Sequence, residues 1–332
     1  MRCAGRRLFV AAALAAASGL AFAQAPAKGA PLEKIVFATN WYAQAEHGGF
    51  YQAIADGLYR QAGLDVTIRM GGPQVNPLQL LVANQIDIAM GDDLQTLGAI
   101  EQGLPVVTIG ATFQRNPTVI VSHPGVKSLA DLKGRPIAIG AASNTTFWPW
   151  LKQSYGFTDD QKRPYAFSVQ PFLADKNLSQ QGYVTSEPHS IEKGGVKPVV
   201  FLLADAGYPP YAQSLVVTRA NATKRADALK RFLSASAEGW KRYLANPASA
   251  NALIKRDNPQ MTDDLLTFGH AKIREHALVT GGDAPQLGIF AMTDARWKQT
   301  LEFLRTGNLL KAGVDHSQAY TLSIIRDVKV LP

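Results

Sequence analysis

The chain has 332 residues, 46% hydrophobic and 18% charged, with a formal net charge of +8. This is the composition of an ordered protein too long for one hydrophobic core, so two lobes are expected. Its lysines and arginines are scattered along apolar stretches (Lys224, Arg225, Lys230, Arg231, Lys241 and Arg242 share one) with no dense basic run among aromatics, which excludes nucleic acid as a partner.

Arg2, Arg6 and Arg7 precede an apolar run, Leu8 to Ala23, that closes with Ala21-Phe22-Ala23. That pattern predicts a cleaved signal peptide over residues 1–23. The run is shorter than the roughly 20 residues a spanning helix needs, and no later segment is apolar enough to span. The only cysteine, Cys3, falls inside the leader, so the mature chain has no disulfide, thiol nucleophile or cysteine metal site.

Lys34–Thr39 predicts a buried strand. Gly48–Ala62 carries Phe50, Ile54, Leu58 and Ala62 at a spacing of four and stops at Gly63, a helix. Leu64–Met70 alternates as a half-buried strand, Pro77–Gln85 is a short helix, and Ile86–Met90 is a short strand. Asp92 caps a helix ending at Gly103, and Val106–Ala111 is the next strand. Alternation of this kind predicts mostly parallel sheets covered by helices on both faces.

The pattern then restarts. Strands are expected at Val119–Ser122, Pro136–Gly140, Ala166–Gln170, Gln181–Ser186 and Pro198–Leu203, with a short helix capped by Ser128 and running to Lys133 and a helix over Ser143–Tyr155 between them. Leu215–Thr218 is a return strand, and nearly everything after it is helical. Thr223–Leu244 has a clear apolar stripe, Thr262 caps a helix through His276, and Thr293 caps one that ends at Gly307. Crossings are expected at Gln114–Thr118 and Gly207–Gln213, which divides the chain into lobe I, residues 31–115 and 214–332, and lobe II, residues 116–213. Two crossings make a hinge, and the cleft between such lobes, at the carboxyl ends of the strands, is the preferred ligand site.

Candidate ligand residues follow from that geometry. Trp41, Tyr42, Glu46, His47 and Tyr51 come directly after the first strand: aromatic faces for stacking, a carboxylate and an imidazole for directed hydrogen bonds, and Gly48-Gly49 for close backbone approach. Core packing is the competing role for the aromatics. Asp92 and Asp93 follow the third strand; they can accept from a ligand amine and would repel an oxyanion. Gln114 and Tyr211 mark the two crossings. In the second unit Ser143, Asn144 and Thr145 open a helix whose free N–H groups can bind acceptors, and Phe147 or Trp148 can stack from the far side. Tyr183 and Glu187 end a strand, with Glu187 expected to be held extended by Pro188. No His-Glu-x-x-His spacing, Walker A loop, Gly-x-Gly-x-x-Gly or Gly-x-Ser-x-Gly occurs, so no metal, cofactor or catalytic set is assigned.

In this order the segments resemble the periplasmic solute-binding proteins of bacterial ABC importers, nearest the nitrate/sulfonate/taurine and thiamine-pyrimidine branch. The stretches that carry the resemblance are Asn40–Ala53 (NWYAQAEHGGFYQA), Leu129–Gly140 (LADLKGRPIAIG), Gln181–Pro188 (QGYVTSEP) and Gly239-Trp240 through Pro247. The resemblance implies an α/β, type II periplasmic binding protein fold: two doubly wound lobes, a two-segment hinge and extra C-terminal helices on lobe I. It implies capture of a small planar nitrogen heterocycle, pyrimidine-precursor-like or riboflavin-like, by a monomer in the periplasm. A permease and an ATPase at the inner membrane are the implied partners. Three alternatives stand beside it: a sulfonate or nitrate binder, a sensor domain, and a pyrimidine synthase on the same fold. The synthase type is marked by a cysteine-rich run that this chain lacks.

Overall fold

The computed structural model describes residues 31–332 apart from 73, 74, 166, 167 and 312, so the expected leader lies outside the described residues. The chain opens with β1 (Glu33–Ala38), α1 (Gly48–Ala55), α2 (Leu58–Gln61) and β2 (Leu64–Arg69). The single helix expected over 48–62 breaks in two because Gly57 takes a left-handed φ of 67°. Then come α3 (Pro77–Val82), β3 (Ile88–Gly91), α4 (Asp93–Glu101) and β4 (Val106–Phe113). Asn76 and Asp92 cap α3 and α4 by accepting backbone N–H bonds.

A second sheet is built next, from β5 (Thr118–Ser122), β6 (Ile137–Ile139), β7 (Lys162–Pro164), β8 (Ser179–Tyr183) and β9 (Val199–Leu202). Its helices are α5 (Phe147–Tyr155), α6 (Gln170–Ala174) and α7 (Glu187–Lys193). The chain returns in β10 (Ala212–Thr218). It finishes in α8 (Arg219–Lys224), α9 (Ala226–Ala245), α10 (Ala248–Asp257), α11 (Asp263–Glu275), α12 (Ala284–Leu287) and α13 (Asp294–Thr306).

The sheets have orders β2-β1-β3-β10-β4 and β7-β6-β8-β5-β9. In the first, β1 runs parallel to β2 and β3, while β10 is antiparallel to both β3 and β4. In the second, β6 runs parallel to β7 and β8, while β5 is antiparallel to β8 and β9. Each sheet is thus parallel except for one strand. The exception is in both cases the strand that follows a crossing: chain entering a sheet from the hinge side runs against strands that head toward it.

Two local expectations are corrected, and one strand, β7, was not expected. The strand expected at 166–170 falls partly on undescribed residues, and Gln170 opens α6, with Pro171 in its first turn. The edge strand β7 is short, charged and mostly exposed, so it carries no alternation to read. Glu187 is not extended; it is the first residue of α7. Proline is tolerated in a first turn because the N–H it lacks has no helical partner there, and that outweighs its restriction on the preceding residue.

The longest helix among the described residues, α9, packs the appended helices against the first sheet. Its Phe232, Leu233, Trp240 and Tyr243 are buried, and Phe50 of α1 lies 4.7 Å from Phe37 of β1 and 6.0 Å from Trp240, ring to ring. α1 and α9 approach so closely that a Cβ at Gly48 would fall 2.2 Å from the Tyr243 ring, and one at Gly239 would fall 2.2 Å from the Gly49 carbonyl oxygen. The Gly48-Gly49 pair therefore serves helix packing rather than backbone approach to a ligand.

Candidate functional site

The segment after β1 is pinned from two sides. The Thr39 hydroxyl donates to the Trp41 carbonyl at 2.8 Å, and the N–H of Gly71, after β2, reaches the same carbonyl at 3.2 Å. Gly71 has no room for a side chain, since a Cβ would meet the Thr39 carbonyl at 2.2 Å. Trp41 is half-buried and its ring meets Tyr42 edge-on at 5.6 Å; Tyr42 is 42% exposed, a large aromatic left in solvent. Tyr51 is core, packed where α1 meets α10, and burial with the Asp257 charge pushes its hydroxyl up.

Glu46 and His47 sit in a tight turn, Ala45–His47, and both are buried. His47 Nε2 lies 3.2 Å from Asn40 Oδ1. Burial holds the imidazole down at about 3, so it is neutral and acts as a hydrogen-bonding group only. Glu46 accepts a short bond from the hydroxyl of Thr185, between β8 and α7 of the second lobe. Burial pushes its carboxyl up to about 7; the Glu187 charge adds to this and the Thr185 bond opposes it.

At the end of β3 the two aspartates divide their work. Asp92 accepts from the Gln95 N–H at 2.7 Å and is pushed up to about 6 by burial. Asp93 is fully buried and turns away, accepting from the Tyr211 N–H at 3.0 Å and the Thr300 hydroxyl at 3.1 Å. Its environment, burial first and then the Asp92 charge, pushes it up to about 7. Tyr211 is buried beneath the Arg296 guanidinium, 4.6 Å from its ring centre. Arg296 donates to the Gln114 carbonyl at 3.0 Å and also to the Pro209 carbonyl, one on each crossing. The Gln114 side chain is itself buried, donating to Ala291 O at 2.7 Å. Asp93, Gln114 and Tyr211 therefore belong to the framework that holds the crossings together.

In the second lobe, Gln181 organises the helix start. Its Oε1 accepts from the Gly140 N–H at 2.5 Å and the Ser143 hydroxyl at 2.6 Å. Asn144 and Thr145 are exposed, and Asn144 accepts from Lys162 at 2.9 Å. Phe147 and Trp148 are buried. The Trp148 indole donates to Asp159 at 2.9 Å and its ring lies 5.9 Å from Phe157, which places it in the core of its own lobe. Tyr183 and Glu187 are half-buried, and Glu187 accepts from the Tyr183 N–H at 2.7 Å and the Tyr165 hydroxyl at 2.8 Å. Burial first, and then the charges of Asp92 and Glu46 from one lobe and Glu187 from the other, push the Tyr183 phenol up.

Glu46 and Asp92 of one lobe and Glu187 of the other thus all bear on Tyr183, Glu187 by a direct bond to its N–H. Among the described residues, no lysine or arginine offsets the charge at Glu46 or Asp92. Beside them a groove of about 1020 Å³ runs past Asn40, Met90 and Gln95 of the first lobe to Thr145 and Thr146 of the second. Thr185, Gln181 and Arg296 were missed by sequence reading. Thr185 lies inside the QGYVTSEP stretch and was within reach; Arg296 stands on an ordinary helix with no local signal.

Comparison with known proteins adds three findings. A family model described as NMT1/THI5 like matches residues 44–250. The riboflavin-binding protein RibY of Chloroflexus aurantiacus is 26% identical over 309 residues, 90% of this chain and 88% of that protein. The formylaminopyrimidine-binding protein of Halalkalibacterium halodurans is 24% identical, over 87% of this chain and 90% of that protein. Other relatives carry the name 4-amino-5-hydroxymethyl-2-methylpyrimidine phosphate synthase. Among solved structures, the periplasmic aliphatic sulphonate binding protein SsuA from Escherichia coli matches with a TM-score of 0.64 at 17% identity, over 86% of this chain and 91% of that one. At that identity the likeness concerns the fold: that of a type II periplasmic binding protein.

Proposed function

Because the chain belongs to the NMT1/THI5-like family, we propose that it is the solute-binding component of an ABC import system that captures a flat nitrogen heterocycle, riboflavin-like or pyrimidine-precursor-like, by hinge closure. What supports this reading is a group of acceptors from both lobes: Glu46, bonded across the lobes to Thr185, Asp92 at the start of α4 and Glu187 bonded to the Tyr183 N–H, with no lysine or arginine acting on Glu46 or Asp92 among the described residues. Acceptor oxygens arranged this way suit ring and exocyclic N–H donors and disfavour a sulfonate or nitrate, which needs donors and positive charge. Trp41 and Tyr42, which meet edge-on after β1, are assigned as the ring faces of the site. The relatives named as riboflavin-binding and formylaminopyrimidine-binding proteins support the ligand class.

Lobe I is assigned to residues 31–115 and 214–332 and lobe II to residues 116–213. The closed form makes contacts to the ligand from both lobes, so the ligand shifts the balance by that difference in affinity. A permease and an ATPase then take the solute inward from the periplasm. Among the described residues no helix is long and apolar enough to cross a membrane. Binding rather than turnover is favoured over the synthase reading because the cysteine-rich run of that enzyme type has no counterpart here.

The test is a thermal-shift and calorimetry panel of riboflavin, aminopyrimidines, taurine and nitrate, with mass spectrometry of what co-purifies. Stabilisation by the heterocycles alone is expected. Stabilisation by the oxyanions alone would overturn the ligand class, and conversion of a pyrimidine precursor supplied with iron and pyridoxal phosphate would overturn the binding role.

A further inference from the structure

The two crossings are not the only places where the lobes meet. A second contact joins the turn Ala45–His47 and α11 of the first lobe to Thr185 and α7 of the second. At its inner edge Thr185 donates to Glu46. Behind that bond Gly269 of α11 lies so close that a Cβ would sit 2.9 Å from the Ala45 Cβ and 3.2 Å from the Thr185 carbonyl oxygen. Farther out the His189 ring packs 5.0 Å from Phe268, and Lys193 pairs with Asp264 at the exposed rim. The crevice left between Glu46, Thr185, Met261 and Leu266 holds only about 10 Å³, at most one water, so the two surfaces fit. α11 is itself fastened to the first lobe, where His270 lies 3.0 Å from the Tyr243 carbonyl and Asn258, just ahead of α11, donates to Ala43 at 2.9 Å.

We propose that Thr185 is a positioning residue for Glu46, and that together with α11 it forms a latch that fixes the direction of the Glu46 carboxylate only when the lobes are shut. The physical basis is that a buried carboxylate holds a fixed direction only if its oxygens are bonded, and here the bond comes from the opposite lobe. Opening removes the donor, returns water to Glu46 and frees the carboxylate to turn. Gly269 is the element that permits the approach, since any side chain there meets both halves of the latch. The inference rests on the binding role proposed above and adds how one acceptor in that site is held.

Thr185→Val keeps the shape and removes the hydroxyl, Thr185→Ser restores it, and Gly269→Ala inserts a wedge. Small-angle scattering of the ligand-free proteins tests the latch without a ligand: Thr185→Val and Gly269→Ala are expected to have larger radii of gyration than wild type, and Thr185→Ser the wild-type radius. Riboflavin and an aminopyrimidine, used as probes, are expected to bind Thr185→Val about tenfold more weakly than wild type, the loss of one hydrogen bond to a charged group, with recovery in Thr185→Ser. Identical scattering and affinity in all three variants would overturn the proposal. If neither probe binds wild type, the function reading fails while the scattering comparison still decides the latch, and circular dichroism identifies a variant that has merely unfolded.

Discussion

Glu46 shows how one buried group ties stability to pH. Its carboxyl, ordinarily near 4.5, is pushed up to about 7 in the folded protein. Below about pH 4.5 both folded and unfolded chains hold the proton. As pH rises toward 7 the unfolded chain releases it first, so stability falls across that window. Glu46→Gln keeps an acceptor for Thr185 and removes the charge. Its advantage over wild type is expected to grow between pH 4.5 and 7 and level off above, reaching at most about 3 kcal/mol. His47 acts in the opposite sense: its folded value of about 3 lies below the ordinary 6.5, so it adds stability as pH rises through that range. Urea titrations of wild type and Glu46→Gln at pH 4.5, 6 and 8 isolate the carboxylate, and a constant difference at all three would refute the assignment. Trp41 makes a separate prediction. Replacing it with alanine removes one stacking face and is expected to weaken heterocycle binding by about 1–3 kcal/mol, by analogy with loss of a stacked ring; unchanged affinity by calorimetry would take Trp41 out of the site.

Among the elements, α1 and α9 carry the most exact fit. A methyl group at Gly239 would stand 2.2 Å from a backbone oxygen of Gly49, a group that cannot swing aside. Helix propensity alone would favour alanine there by about 1 kcal/mol, but overpacking at a backbone contact costs about 1–3 kcal/mol or more. Gly239→Ala is therefore expected to lower the urea midpoint, and a raised midpoint would show that the helices can part cheaply. The caps behave more simply. Asp92, Thr262 and Thr293 each accept a backbone N–H at the start of α4, α11 and α13, which is where sequence reading placed caps. Capping is local, so three residues suffice to see it.

For the molecule as a whole, the hinge depends on a side chain from its far end. Arg296 of α13 bridges the carbonyls of Gln114 and Pro209, residues of the two crossings. Arg296→Met removes the guanidinium, losing both bonds and the cation over the Tyr211 ring; it is expected to cost about 2 kcal/mol of stability and to broaden the range of lobe angles. Guanidinium denaturation and scattering with and without ligand measure the two effects. An unaltered denaturation midpoint would mean the crossings hold without it.

Strand–helix alternation and the apolar stripe of α9 were readable from the chain, because each depends on residues within a few positions of one another. Whether a polar residue at a strand end faces a ligand was not. Asp92 and Asp93 are adjacent, yet one caps a helix near the cleft and the other is bonded to Tyr211 and Thr300, more than a hundred residues away. Trp148 read as a stacking platform until the partner of its indole, Asp159, was placed beneath it. Glu46 was legible as a candidate, but not its bond to Thr185, which joins residues 139 apart in sequence from two halves brought face to face. Local periodicity determines which side of an element is apolar; only the assembled lobes decide what that side, or its polar edge, will meet.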